Sequence, residues 1–117
     1  MYKKVVLFGD VVTPIKVIHN GYVLVEENKI TGISLQKPEN TTAIAFYDYH
    51  DQYIFPGFID AHVHCFSNPN EGFEATSIGA AVGGVTTFVD MPYDRPKPID
   101  TADRFEEKKR SISGKTV

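Results

Sequence analysis

Apolar and polar positions divide this chain into two regimes. Through residue 55, short β-branched and aromatic runs are separated by turn-forming clusters; from Pro56 onward, apolar runs alternate with helix-like segments. Residues 4–8 form a first candidate strand, bounded by Gly9-Asp10, which reads as a turn. Residues 22–26 and 30–35 are β-prone runs joined through Glu27-Asn28-Lys29, a hairpin connection suited to Asn because it tolerates left-handed backbone. The polar stretch Pro38-Glu39-Asn40-Thr41-Thr42 separates them from a further candidate strand at 43–47.

In the second regime, residues 58–64 predict a strand and residues 74–82 a helix of small side chains, ended by Gly83-Gly84. Residues 85–91 are almost wholly apolar, as expected of a parallel strand buried on both faces. Residues 101–113 predict a second helix, with Thr101 as N-cap, Glu106 and Arg110 spaced i,i+4, and Gly114 as C-terminal cap. Strand–helix–strand–helix is the βαβ pattern of an α/β fold with parallel strands. The expected organisation is a β-rich part at 1–55 and a βα part at 56–117.

The chemistry concentrates at the end of the 58–64 run. Asp60, His62 and His64 occupy alternate positions, so on a strand their side chains project to one face. Two neutral imidazoles so placed supply half of a site for zinc or a similar divalent ion. The bland reading is a pair of surface or hydrogen-bonded histidines. Asp60 is a candidate for orienting an imidazole, or else a carboxylate bonded to neighbouring backbone. Asp90, closing the second strand, lies near a pocket or serves as a loop hydrogen-bonding residue. Cys65 follows His64 and by alternation points away from it. His19 and His50 read as loop residues without chemistry.

Pro56-Gly57 before the His62-x-His64 pair, together with Gly83-Gly84-Val85-Thr86-Thr87-Phe88-Val89-Asp90-Met91-Pro92, resembles the start of the catalytic barrel in the amidohydrolase superfamily. The nearest branch is the cyclic amidohydrolases: allantoinases, hydantoinases (dihydropyrimidinases) and dihydroorotases. The resemblance implies a partial β-sandwich over 1–55, followed over 56–117 by the first two βα units of a (β/α)8 barrel. Such a barrel takes about 250 residues, and about sixty follow Pro56. The expectation is therefore an N-terminal piece of a longer enzyme, with exposed strand edges, a tendency to homo-oligomerise and no activity by itself.

By the same resemblance, His62 and His64 are metal ligands, most simply for zinc, with one or two ions in the whole enzyme. The remaining ligands (a lysine, two histidines) and a catalytic aspartate are expected beyond residue 117, so no catalytic base is assigned within the chain. The implied reaction is hydrolytic opening of a small cyclic amide or ureide. Dihydroorotases place Asn directly after Met-Pro and an Arg soon after His-x-His; here no Arg lies between His64 and Arg95, and Tyr93 separates Pro92 from Asp94. One intervening residue before an Asn is the allantoinase pattern. Asp94 makes this an allantoinase-like loop with a departure, a charged acceptor in place of an amide donor, and a candidate substrate contact. Arg95 and Lys97 offer an anion contact or simple solvated charge. A hydantoinase is the second enzymatic reading, and a non-catalytic piece that assembles with a partner is the reading from another class.

Composition narrows the partners. With 42% hydrophobic and 23% charged residues and a net charge of −3, the chain is of ordinary globular type. It has no basic block that would mark a nucleic-acid surface, and no apolar run reaches the ~20 residues needed to span a bilayer. No signal-peptide cleavage site follows the short apolar run near the N-terminus. A single cysteine excludes an intramolecular disulfide and fits a reducing cytoplasm.

Overall fold

The computed structural model describes residues 4–39, 44–66 and 70–117. These fall into two compact units, Met1–Pro56 and Gly57–Val117.

The first unit is a mixed four-stranded sheet in the order β3-β2-β1-β4, built from β1 (Lys4–Val12), β2 (Val17–Glu26), β3 (Lys29–Ser34) and β4 (Ile44–Ile54). β1 pairs antiparallel with β2 and parallel with β4, and β2 pairs antiparallel with β3. Val6, Val11 and Val23 are its buried aliphatic residues. The β2–β3 hairpin turns through Glu27 and Asn28, both left-handed at φ 48° and 67°, the geometry a two-residue type I′ connection requires. Ala43 and residues 40–42 of the preceding loop lie outside the described residues.

Three expectations are corrected in this unit. Gly9-Asp10 does not end β1; the strand continues to Val12 through an irregularity opposite both neighbours. Between Phe8 and Asp10 β1 advances two residues while β4 advances from Asp48 to Tyr53. A Cβ on Gly9 would stand 2.9 Å from the Tyr49 carbonyl oxygen and 3.0 Å from that of Gln52, so glycine lets the looped-out backbone of β4 approach. His19 and His50 lie in β2 and β4, not in loops. His19 Nδ1 bonds Asp10 Oδ2 at 2.8 Å, and Asp10 Oδ1 accepts the Asn20 N–H at 3.0 Å. These contacts, the Asn20 N–H first and His19 second, hold the Asp10 carboxyl below its ordinary range.

The second unit runs β5 (Phe58–Val63), α1 (Phe73–Val82), β6 (Val85–Asp90) and α2 (Ala102–Ile112), with β5 and β6 parallel. Phe73 of α1 packs on Phe88 of β6 at 5.6 Å between ring centroids and on Phe66 at 6.0 Å. Gly84 at φ 78° follows the last turn of α1, and its N–H bonds the Ala81 carbonyl. In α2 the Thr101 hydroxyl accepts the Arg104 N–H at 3.4 Å, and Gly114 takes φ 73° one residue past the Ser113 cap. Glu106 pairs with Lys109 at i,i+3, not with Arg110. β6 is apolar in sequence but half-exposed here, and Ile59 on β5 is 71% exposed. The two-stranded sheet therefore leaves apolar surface and both of its edges open within this unit.

Candidate functional site

β5 ends at Val63, one residue short of the predicted strand, and delivers the paired histidines to its C-terminal end. The Nε2 atoms of His62 and His64 stand 3.0 Å apart, with ring centroids at 5.0 Å. Both rings are exposed. Two readings account for the geometry. One imidazole can donate N–H to the other, or both can turn neutral Nε2 lone pairs on one cation. Zinc–nitrogen bonds of about 2.0–2.1 Å separate adjacent ligand nitrogens by about 2.9 Å at a right angle and about 3.4 Å at the tetrahedral angle. The observed separation lies in that interval, so the pair fits two adjacent positions on one metal. Among the described residues no group of three or more His, Cys, Asp or Glu is arranged to hold one.

The other predicted residues divide. Asp60 Oδ1 accepts the backbone N–H of His62 at 3.0 Å; its carboxylate holds the main chain of its own strand rather than an imidazole. Asp94 does not present a free carboxylate: its Oδ1 lies 2.7 Å from Lys108 Nζ, and its side chain is 14% exposed. The aromatic neighbour of the pair is Tyr93, whose ring meets His64 edge-on at 6.4 Å. Residues 67–69 lie outside the described residues.

Sequence reasoning missed Lys108. Its ammonium bonds Asp90 Oδ2 as well as Asp94, and all three side chains are nearly buried. Burial alone would lower the Lys108 pKa, but hydrogen bonds and charge from the two aspartates outweigh it and raise it. Asp90 Oδ1 in turn accepts the Cys65 N–H at 2.9 Å. The Cys65 side chain is fully buried, and desolvation, followed by the Asp90 carboxylate, pushes its thiol from 9.0 to about 11. No local sequence signal sets Lys108 apart: it stands among Glu106, Glu107, Lys109 and Arg110, and only the packing of α2 over the end of β6 brings it to the two aspartates.

No protein-family model matches the chain. Among curated proteins it is 40% identical to an allantoinase of Deinococcus radiodurans over 74 residues, 60% of this chain and 16% of that protein. It is 37% identical to an L-hydantoinase of Paenarthrobacter aurescens over 75% of this chain and 20% of the relative. It is 39% identical to a dihydroorotase of Methanothermobacter thermautotrophicus over 80% of this chain and 21% of the relative. Among solved structures, a D-hydantoinase (dihydropyrimidinase) from Thermus sp. superposes with TM-score 0.73 and 26% identity, over 91% of this chain and 24% of that one. The chain thus spans about a fifth of the length of the relatives it matches. Fold and site define a chain of β-strands and two helices with paired imidazoles at the end of β5, the first strand of the parallel β5–β6 pair. The relatives narrow this: over the matched residues the chain is similar to an allantoinase, a hydantoinase and a dihydroorotase, and its fold to that of a D-hydantoinase.

Proposed function

We propose that this chain is a segment of a metal-dependent, allantoinase-like hydrolase that opens small cyclic amides or ureides at a C–N bond, with His62 and His64 as metal ligands. The observation that carries the reading is the 3.0 Å approach of the two Nε2 atoms at the end of β5. In that role both rings are neutral and keep their proton on Nδ1. A divalent metal held there, zinc by the donor set, supplies Lewis-acid polarisation of an amide carbonyl and a bound water of lowered pKa. Asp60 steadies the strand at His62, and Tyr93 limits rotation of the His64 ring. Asp94, tied to Lys108, shapes the loop beside the site rather than meeting substrate directly.

In this reading Met1–Pro56 is one part of a composite β-sandwich and Gly57–Val117 the opening two βα units of a (β/α)8 barrel, which accounts for the exposed apolar face of β5. The whole protein is read as a cytoplasmic homo-oligomer without nucleic-acid or membrane partners; no helix among the described residues is long and apolar enough to cross a membrane. Pro92-Tyr93-Asp94, with no Arg between His64 and Arg95, favours allantoin over dihydroorotate. The structural likeness to a D-hydantoinase supports hydantoins as the second substrate class.

The test uses the gene product that carries this segment. His62→Ala and His64→Ala should each remove bound zinc and ring-opening activity together, and allantoin should turn over faster than dihydroorotate. Unchanged metal content and turnover in both variants would sink the ligand assignment, and a clear preference for dihydroorotate would sink the substrate reading.

A further inference from the structure

His64 is held from both sides by two consecutive residues of the neighbouring strand end. The carbonyl oxygen of Val63, before it, accepts the Met91 N–H at 2.8 Å. The N–H of Cys65, after it, donates to Asp90 Oδ1 at 2.9 Å. The second oxygen of Asp90 is bonded to Lys108, and the same ammonium holds Asp94. The loop following β6 is tied a second time, by the Arg95 N–H on the Phe66 carbonyl at 3.1 Å, and Lys108 Nζ stands 5.2 Å from the Phe66 ring centroid. The Lys108 side chain lines an apolar cavity with Phe73, Ile99, Phe105 and Ile112.

We propose that Lys108 is a positioning residue for the His62–His64 pair, acting through Asp90 on the backbone that carries His64. The inference rests on the reading that the pair binds a metal. Lys108 neutralises one of two carboxylates that reach the same nitrogen in poorly hydrated surroundings. Without it Asp90 and Asp94 repel each other, and Asp90 Oδ1 no longer has a fixed place from which to accept the Cys65 N–H. The peptide after His64 is then released on one side, and the edge-on contact with Tyr93 loosens with the loop. A chelating pair loses affinity when one arm must be ordered on binding, and removal of groups that orient metal ligands typically weakens binding about 10–100-fold.

The test is a zinc titration of the gene product that carries this segment, followed by NMR at the Nε2 nuclei of His62 and His64. Lys108→Met should weaken zinc binding about tenfold or more while the backbone amide spectrum of β5 and β6 persists, and Lys108→Arg should recover affinity to within about threefold. A role in folding alone would lower the melting temperature and leave the zinc affinity of the folded chain unchanged; that result overturns the proposal. If Lys108→Met does not fold, Asp90→Asn decides, because it keeps an oxygen for the Cys65 N–H but loses the charge that Lys108 grips. Asp90→Asn is expected to weaken zinc about threefold or more, and an unchanged affinity refutes the inference. The underlying metal reading fails separately: an undiminished zinc content of the gene product in both His62→Ala and His64→Ala removes it whatever Lys108 does.

Discussion

Substituting Gly57 by alanine should strain the start of the strand that carries the histidine pair. The cause lies in the β5–β6 register. Phe58 pairs with Val85 and Ile59 with Thr87, so Thr86 is an extra residue on β6, and its side chain lies against Gly57. A Cβ on Gly57 would stand 2.2 Å from Thr86 Oγ1, 2.3 Å from Cγ2 and 2.8 Å from Cβ. Rotating Thr86 about χ1 can clear only one of the first two contacts, because two heavy γ atoms fill two of the three staggered positions, and it leaves the third, so the strands themselves must part by several tenths of an ångström. Overpacking of this kind costs about 1–3 kcal/mol. Gly57 is not among the residues with positive φ, so alanine can adopt its backbone angles, and the smaller unfolded-state entropy returns about 0.4–1 kcal/mol. The net expectation is a loss of about 1–2 kcal/mol. For a unit of this size that lowers the melting temperature by about 4–8 °C per kcal/mol.

The assay is thermal and urea unfolding of wild type, Gly57→Ala, Thr86→Ala and the double variant. Thr86 is exposed, so Thr86→Ala alone should cost little, while in the Gly57→Ala background it should restore about half of the loss. A coupling of about 0.5–1 kcal/mol is within the range for residues in direct contact. A Gly57→Ala chain as stable as wild type, or a loss that Thr86→Ala does not relieve, would refute the close-approach argument.

Two further outcomes follow from the same unit. With its thiol raised from 9.0 to about 11, Cys65 has a thiolate fraction at pH 8 about 100-fold below that of a free cysteine. Iodoacetamide should therefore label the folded chain at least about 100-fold more slowly than the urea-unfolded chain, and equal rates would contradict the burial. The raised value also fixes a sign. The contribution to stability is complete below pH 9, where folded and unfolded thiols are both protonated, and is lost as the pH rises from 9 towards 11. A melting-temperature drop across that window should be smaller in Cys65→Ala than in wild type. Finally, the open apolar face and edges of β5 and β6 predict that the 117-residue chain self-associates and opens no allantoin; a monomer by sedimentation with metal-dependent turnover would overturn this.

What the sequence made legible was local. His62 and His64 stand out because a period-two repeat at a strand end needs only the strand to converge its side chains, and the two Nε2 atoms do meet. The Glu27-Asn28 hairpin and the Thr101 cap depend on neighbouring residues alone, and both form. Gly9-Asp10 misled for the opposite reason. As a dipeptide it is a turn signal, but Asp10 is fixed by His19 and Asn20 across the sheet, and the space at Gly9 is taken by β4, forty residues further along. The turn propensity was outweighed by long-range pairing that no local window contains.

The same distinction explains why Lys108 was invisible and the pairing of Asp94 with it unforeseen. Read in sequence, Asp94 is a charged residue on a Pro-rich loop, the position at which a substrate contact is expected. Read in three dimensions, it shares an ammonium with Asp90, and that ammonium comes from a helix 14 residues further on. Lysine at a helix position near Glu106, Glu107 and Arg110 looks like one more solvated charge. It becomes an internal counter-ion only because α2 returns over the end of β6, where two nearly buried carboxylates converge on its ammonium. The imidazole pair is thus written in one strand. The bonds that hold the backbone after it are distributed over β6, its loop and α2, which is why a change at Lys108 is the proposed way to disturb it.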